Sequence, residues 1–189
     1  MIGEKQVIGN LDGNMYLMIK KEDDKMDNFE IVFESERIYF VKLSYDLVNE
    51  YLNMVNNEEV QRLISKKRKK YTIEEEIEWV KCKLEEKAII FSMIDKETNE
   101  YIGNIEIMNI TNDFGTLGIS ITPNKQDMHF GQEAITAIFK YAINNLKLNG
   151  LDLNVFNYNT RAIHCYEKLG FKFIGKGETD EDIKMIRKK

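Results

Sequence analysis

The helix-to-strand junction near the C-terminal end of this chain is Asn159-Thr-Arg-Ala-Ile-His-Cys-Tyr-Glu-Lys-Leu-Gly-Phe171. Its apolar residues recur at spacings of three and four, which is typical of a helix with one buried face; they are Ala162, Ile163, Tyr166 and Leu169. Gly170 follows directly, where a helix end favours positive φ. We therefore predict a short helix, a strand from Phe171, and a tyrosine directed at the core.

Composition limits the classes of protein to which this chain can belong. It has 189 residues, a near-average hydrophobic content of 43% and a formal net charge of −5, which suits one domain and disfavours binding to nucleic acid or to anionic membranes. No apolar run approaches a membrane span, and the N-terminus lacks a signal-peptide core. Cys82 and Cys165 form neither a disulfide framework nor a metal-binding spacing. We expect a cytoplasmic protein without a metal ion.

Hydrophobic periodicity predicts an alternating order of strands and helices. Thr72 and Glu75 form a capping box that starts one helix. The elements expected after it are two hairpins over residues 88–122, a helix over 131–148, a strand over 151–156, the Tyr166 helix and a last hairpin. This order predicts an α/β (α+β) fold, with a mixed, twisted central sheet of about six or seven strands and helices on both faces.

The first 32 residues differ in pattern from the rest. Gly3, Gly9 and Gly13 flank short apolar pieces, and an acidic cluster follows at residues 22–27. We predict an N-terminal extension over residues 1–32, with short strands and a solvated turn, and a main domain over residues 33–189. The main domain is expected to open with one strand, Phe33-Glu-Ser-Glu-Arg-Ile-Tyr-Phe-Val-Lys-Leu43.

The junction pattern N-x-R-A-I-x-x-Y-E-K-x-G-F closely resembles the last conserved motif of the GNAT N-acetyltransferases. The strand over residues 33–43 resembles the "ESERL-LR-L" opening of the branch that acetylates ribosomal-protein alanines. The resemblance covers residues 33–189 and implies a GNAT-like fold with acetyl-CoA as cosubstrate. It also implies direct acetyl transfer to a primary amine, either a peptide or protein N-terminus or a small molecule.

The same resemblance implies roles for two residues of the junction. Tyr166 would be the general acid that protonates the departing CoA thiolate, and Asn159 would contact the CoA arm. Judged by pattern alone, Tyr166 is also typical of a core residue, and Asn159 of a helix N-cap. Both alternatives stay open from the sequence.

A second candidate site is the turn that opens the long helix. A helix N-terminus presents free N–H groups and a positive dipole end, which suits a pyrophosphate, although an ordinary turn has a similar composition. The family pattern here is Q/R-x-x-G-x-G/A: Gln126 and Gly131 match, and His129 replaces the first glycine. A side chain there either crowds the phosphates or restricts φ, or else the histidine donates to an anion. The predicted cofactor-binding residues are Gln126, Asp127, Met128, His129, Phe130, Gly131 and Gln132.

The strand before this turn, Leu117-Gly-Ile-Ser-Ile-Thr-Pro123, resembles the central strand of the family. In the family, a local disruption of strand pairing leaves main-chain groups free to bind the pantetheine arm and polarise the thioester. This implies cofactor contacts through the backbone of Ile119, Ser120 and Ile121.

The general base is the least defined part of the predicted site. Family members often have Glu just before the Leu/Ile-Gly of the central strand, where this chain has Thr116. Glu106, on the neighbouring strand, is the best replacement carboxylate. A solvent-facing role for Glu106, with a water relay in its place, is the alternative.

Several functional expectations remain open. The departures at His129 and Thr116 motivate two alternatives to an enzyme, namely a non-catalytic acyl-CoA sensor and a binding module that has lost the cofactor. The basic run at residues 66–70 borders the expected acceptor pocket and favours an acidic acceptor, whereas the net charge favours a cationic amine. A homodimer is a further expectation, with the N-terminal extension as a candidate contact.

Overall fold

In a computed structural model of the protein, the described residues are 6–9, 15–18, 29–66, 68–177 and 179–189. The chain divides into two compact units, residues 1–30 and residues 31–189. In the first unit, strands β1 (Gln6–Gly9) and β2 (Met15–Met18) pair antiparallel. The acidic cluster at residues 22–27 lies outside the described residues, and the domain division after residue 32 stays a prediction.

The second unit is built on one sheet of eight strands. In chain order these are β3 (Ile31–Glu34), β4 (Ile38–Lys42), β5 (Ile89–Asp95), β6 (Tyr101–Thr111), β7 (Phe114–Ile121), β8 (Gly150–Phe156), β9 (Lys172–Lys176) and β10 (Asp182–Lys188). They lie side by side in the order β3-β4-β5-β6-β7-β8-β10-β9. The helices are α1 (Val48–Val55), α2 (Glu58–Ile64), α3 (Ile73–Glu85), α4 (Phe130–Asn144) and α5 (Thr160–Lys168).

The segment over residues 33–43 forms a hairpin, so the single strand predicted there is wrong. The chain turns after β3, where the Ser35 N–H donates to the Ile38 carbonyl at 2.9 Å. The Glu133 carboxylate of α4 accepts hydrogen bonds from Ser35 Oγ and from the Arg37 N–H, each at 2.7 Å. The polar Ser-Glu-Arg sequence thus supplies a turn anchored by a residue almost one hundred positions away, which explains the eighth strand.

Helices cover both faces of the sheet, as predicted. Phe91 and Ser92 are neighbours on β5 and therefore point to opposite faces. The Phe91 ring packs edge-on against Tyr141 of α4, with centroids 5.4 Å apart. The Ser92 hydroxyl is hydrogen-bonded to the Tyr51 hydroxyl of α1 at 2.6 Å. Consequently α1 and α4 lie on opposite faces.

The faces on which α3 and α5 lie follow from packing and connectivity. Trp79 of α3 packs edge-on against Tyr51, with centroids 6.0 Å apart, so α3 joins α1. Strands β8 and β9 are both antiparallel to β10 and hence parallel to each other. Helix α4 connects the parallel strands β7 and β8, and α5 connects the parallel strands β8 and β9, both in the same direction along the sheet. Because such crossovers are right-handed, α4 and α5 lie on the same face. The predicted capping box at Thr72 and Glu75 is present, and Gly170 ends α5 with a φ of 85°, as predicted.

Candidate active site

A cleft of about 980 Å³ opens where β7 and β8 separate. The two strands pair in parallel only from Phe114↔Gly150 to Thr116↔Asp152 and then diverge. We call one part the α4 half, comprising residues 126–132 and 159–166. The other part, the α2 half, comprises helix α2, Asn104 and Glu106 of β6, and the turn at residues 179–182.

The loop of the α4 half has a backbone conformation that L-residues rarely adopt. His129 directly precedes α4 and has a φ of 65°, and Asp127 has a φ of 59°. Glycine adopts such values at little cost because it lacks a Cβ. His129 therefore takes the conformation that the family pattern assigns to glycine. Its side chain does not cap α4, so it leaves the first N–H groups of the helix available to an anion.

The side chains of two predicted cofactor residues do not line the cleft. Phe130 is buried, with the Arg37 guanidinium 4.5 Å from its ring centroid. Met128 is exposed, and its carbonyl accepts a hydrogen bond from Arg37 Nη1 at 3.2 Å. Arg37 also binds the Glu133 carboxylate at 2.8 Å. The loop is thus held from behind by Arg37, to which sequence reasoning assigned no role.

Arg161 of α5 holds the same loop from the cleft side. Its Nη1 lies 3.0 Å from Asp127 Oδ2, and its Nη2 donates to Gln126 Oε1 at 2.5 Å. Gln126 Nε2 in turn donates to the Ile121 carbonyl of β7 at 3.0 Å. Sequence reasoning missed Arg161, although it belongs to the recognised motif. Asn159, which also lines the cleft, caps α5 by accepting the Ala162 N–H at 3.3 Å.

The free edge of β7 lies on the side that faces β8. Strands β6 and β7 pair without a register shift from Gly103↔Ile121 to Met108↔Thr116. The predicted disruption of strand pairing is therefore not on the β6 side. The edge is free because β8 diverges on the other side, where it stays paired with β10.

Alternation along the ladder determines which main-chain groups face the cleft. The Thr122 N–H donates to the Ile102 carbonyl of β6 at 2.9 Å. Successive residues of a strand bond in opposite directions. The main-chain groups of Ser120 therefore point at β6, and those of Ile119 point into the cleft. Of the predicted backbone contacts, Ile119 is placed to reach a ligand directly, and Ser120 lines the cleft with its side chain.

Tyr166 lies in the α4 half, partly buried and packed edge-on against Phe171 with centroids 5.8 Å apart. Burial raises the pKa of the phenol well above its ordinary value, and the neighbouring Cys165 raises it slightly further. No described residue hydrogen-bonds the hydroxyl. Tyr166 is thus both a residue packed against the core and a protonated phenol on the cleft wall, so the two roles proposed from the sequence do not exclude each other.

Glu106 lies in the α2 half, where its side chain extends over Gly118 of β7. A Cβ on Gly118 would lie 2.9 Å from both Cγ and Oε1 of Glu106, so the missing side chain makes room for the carboxylate. Burial raises the pKa of Glu106, and the positive charge of Lys83 partly opposes this. Glu106 therefore faces a cleft and is largely shielded from water.

The point where β7 and β8 separate is closed by a polar cluster. Thr116 Oγ1 donates to Asp152 Oδ1 at 2.8 Å, and Lys184 Nζ lies 3.1 Å from Asp152 Oδ2. The position at which the family pattern has a glutamate thus carries a hydroxyl that ties the two diverging strands together.

Contacts between distant segments close the α2 half. The Tyr158 hydroxyl donates to the Arg62 carbonyl of α2 at 2.8 Å. Lys66 Nζ donates to Thr179 Oγ1 at 2.5 Å and lies 3.1 Å from Glu181 Oε2. The apolar residues of this half that line the cleft are Val60, Leu63 and Ile64 of α2, and Met108 of β6 lines the cleft beside them. Sequence reasoning missed this wall because its members are far apart in the chain.

The family model of the acetyltransferase (GNAT) domain matches residues 37–172. This chain therefore belongs to the GNAT acetyltransferase family and is an acyl-CoA-dependent N-acyltransferase. Enzymes of the family use acetyl-CoA as the acetyl donor, which confirms the predicted cosubstrate. Over the ranges that the structure describes, no helix has the length and apolar content needed to span a membrane.

Two curated relatives carry acetyltransferase names. The N-acetyltransferase 9-like protein of Caenorhabditis briggsae is 25% identical over an alignment 173 residues long, which covers 84% of this chain and 85% of the relative. The acetyltransferase PseH of Campylobacter jejuni is 35% identical over 75 residues, which are 40% of this chain and 46% of the relative.

Solved structures confirm the predicted fold class. The spermidine N-acetyltransferase from Vibrio cholerae, in complex with CoA and spermine, has a TM-score of 0.71 at 21% identity and covers 79% of this chain and 94% of that one. A GNAT-family acetyltransferase from Bacillus anthracis has a TM-score of 0.74 at 18% identity and covers 85% and 98%. At these identities the likeness concerns the fold alone.

Proposed function

We propose that this protein acetylates a primary amine by direct attack on acetyl-CoA, with Glu106 as general base and Tyr166 as general acid. The amine nitrogen bonds to the thioester carbon while one amine proton passes to Glu106. The carbon–sulfur bond then breaks, and the leaving thiolate takes the Tyr166 proton. The products are the N-acetylated amine and CoA, and both side chains regain their starting protonation from solvent.

The observation that carries this proposal is the placement of two titratable groups in one cleft. Glu106 lines the α2 half and Tyr166 the α4 half. Between them, β7 directs the main-chain groups of Ile119 into the cleft. An N–H in that position would polarise the thioester carbonyl and stabilise the oxyanion of the tetrahedral intermediate.

The electrostatic environment supports both roles. Burial raises the pKa of Glu106, which makes it a stronger base than an exposed carboxylate. Burial also raises the pKa of Tyr166, so the phenol holds its proton until a thiolate forms beside it. A free thiol has a pKa of about 8.5, so a phenol with a raised pKa is the weaker acid of the two; the same low-polarity surroundings would raise the pKa of the CoA thiol and narrow that difference.

The cofactor is proposed to bind along the α4 half. Its pyrophosphate would accept hydrogen bonds from the free N–H groups at the start of α4, between Gln126 and Gln132. The pantetheine arm would follow the free edge of β7, beside Asn159. The strained backbone at His129, braced by Arg37 and Arg161, supports this assignment because it presents those N–H groups in a fixed arrangement.

The charges around the α2 half support a cationic amine as the acceptor. Lys66 is paired with Glu181, and Lys69 lies 2.6 Å from Glu75, so two cations of the basic run are compensated. Asp182 and Glu106 line the cleft. The panel of acceptors should therefore include two kinds of cationic amine. One is spermidine, which is named in one structural neighbour, and the other is a peptide N-terminus, which the ribosomal-protein resemblance suggests. The branch, a cytoplasmic location and a homodimer stay predictions.

The experiment that tests this function has two steps. Calorimetric titration with acetyl-CoA and with CoA should give saturable one-to-one binding, followed by thiol release with a panel of primary amines. Binding with turnover supports the proposal. Binding without turnover on any amine would favour a sensor, and no binding at millimolar ligand would favour a module that has lost the cofactor.

A further inference from the structure

Asn104 of β6 lines the α2 half of the cleft with only 7% of its surface exposed. Within the described part of the chain, its Oδ1 is the buried side-chain polar atom that lacks a hydrogen-bond partner. Buried polar atoms nearly always have a partner, because an unpaired one destabilises the fold. An unpaired buried atom at the wall of a cleft points to a partner that arrives from outside.

The register places Asn104 beside the reacting groups. It lies opposite Ser92 of β5 and opposite Ser120 of β7, so these three side chains form a row on the α1 face of the sheet. Glu106 follows two positions later on the same face, about 7 Å along the strand. Ile119, whose main chain faces the cleft, lies next to Ser120. An amine that attacks a thioester held at Ile119 is therefore close to both Asn104 and Glu106.

No hydrogen bond from the described part of the chain holds the Asn104 amide in one orientation. The Ser92 hydroxyl is engaged by Tyr51 at 2.6 Å. Neither side-chain atom of Asn104 is hydrogen-bonded to a described residue. The terminal torsion of asparagine is broad, so the amide turns without losing a hydrogen bond.

We propose that Asn104 is a specificity-determining residue that receives the acceptor nitrogen: its side-chain oxygen accepts one N–H while Glu106 accepts another. This inference rests on the proposed function and adds the feature by which the acceptor is selected. An ammonium group has three N–H donors and a neutral amine has two, so both partners are satisfied. An alcohol has one O–H, which goes to the charged carboxylate because charge-assisted hydrogen bonds are stronger. Asn104 therefore discriminates amines from alcohols.

The test compares Asn104→Leu and Asn104→Ala with the wild type. Leucine fills the space without polar atoms, and alanine empties it, so a loss common to both is not a steric effect. Asn53→Leu, on the exposed surface of α1, is the matched control. The measurements are thermal unfolding, calorimetric binding of acetyl-CoA, kcat and KM for the best amine of the panel, and inhibition by the corresponding alcohol.

We expect both variants to lower kcat/KM for the amine at least about tenfold. Acetyl-CoA binding and inhibition by the alcohol should match the wild type, and Asn104→Leu should unfold at the same or a higher temperature. An amine kcat/KM within about threefold of wild type in both variants overturns the inference, as does parallel weakening of amine and alcohol. A wild-type protein that acetylates no amine overturns the proposed function, and the inference with it; wild-type turnover with unaffected variants overturns the inference alone.

Discussion

The α4 half and the α2 half of the cleft are built in different ways. The α4 half consists of two continuous segments, residues 126–132 and 159–166, and its proposed contacts to the pyrophosphate are made by main-chain groups. The α2 half is assembled from side chains of β6, helix α2 and the turn at 179–182. Main-chain groups tolerate changes of side chain, whereas a site made of side chains does not. Substitutions should therefore affect catalysis most in the α2 half, apart from Tyr166.

The largest effect is expected for Glu106→Gln. Loss of the general base should lower kcat/KM for the amine about a thousandfold. Because burial raises the pKa of Glu106, its charged form is disfavoured in the folded protein, and glutamine avoids this penalty. The variant should be at least as stable as the wild type at pH 7, and the difference should shrink as pH falls and Glu106 becomes neutral. Urea unfolding between pH 5 and about 8 checks this.

The wild-type pH profile provides the second readout for Glu106. The acidic limb of kcat/KM should lie above the ordinary carboxyl range, since the base must be ionised. Gly118→Ala is the companion variant, because its new Cβ would displace the Glu106 side chain and leave the carboxylate in the protein. It should lose activity about tenfold with little change in stability. Full activity in Glu106→Gln would remove Glu106 from the mechanism.

Tyr166→Phe should have the next largest effect and reveals whether the α4 half contributes one catalytic side chain. Without the acid, kcat should fall about a hundredfold, and the Kd of acetyl-CoA should change less than about threefold. Steady-state kinetics and calorimetry separate the two quantities. The control is Tyr141→Phe, on the buried side of α4, which should retain wild-type values. Equal losses in kcat and in affinity would contradict the role as an acid.

A smaller effect is expected at His129, where we expect the backbone conformation, and not the imidazole, to determine cofactor binding. His129→Gly relieves the strain at a φ of 65° and should raise the free energy of unfolding by at most about 1 kcal/mol. Acetyl-CoA should bind unchanged or more tightly. His129→Ala keeps the Cβ and removes the imidazole, so it should bind like the wild type. A large loss of affinity in both variants would show that the imidazole itself binds the cofactor.

Thr116→Val should have the smallest effect. It removes the hydrogen bond to Asp152 at the point where β7 and β8 separate, while Lys184 still pairs with Asp152. The free energy of unfolding should fall by about 1 kcal/mol, and kcat/KM should stay within about twofold. Denaturant titration and steady-state kinetics check this. A large kinetic loss would mean that Thr116 takes part in the reaction and does more than join the strands.

The local sequence was sufficient to predict the elements whose signals are local. The capping box at Thr72, the helix end at Gly170 and the fold class are confirmed. The eighth strand was missed because the turn after β3 is anchored by Glu133, which is distant in sequence. The sequence also predicted only part of the candidate site. Arg37 and Arg161, which hold the loop before α4 from its two sides, were assigned no role. Ion pairs between distant segments leave no periodic signal in a sequence.

Periodicity and local signals were enough to predict the fold class, because capping and turn signals act between residues close in the chain, and the resemblance of the motif implied the family and the acetyl donor. Only the tertiary structure showed that Glu106 lies over Gly118 in the cleft and that no residue in the described ranges hydrogen-bonds the side-chain oxygen of nearby Asn104. It also showed that the Ile119 main chain is freed by the departure of β8. These features depend on strand register and on where strands diverge, which are set by packing across the whole sheet.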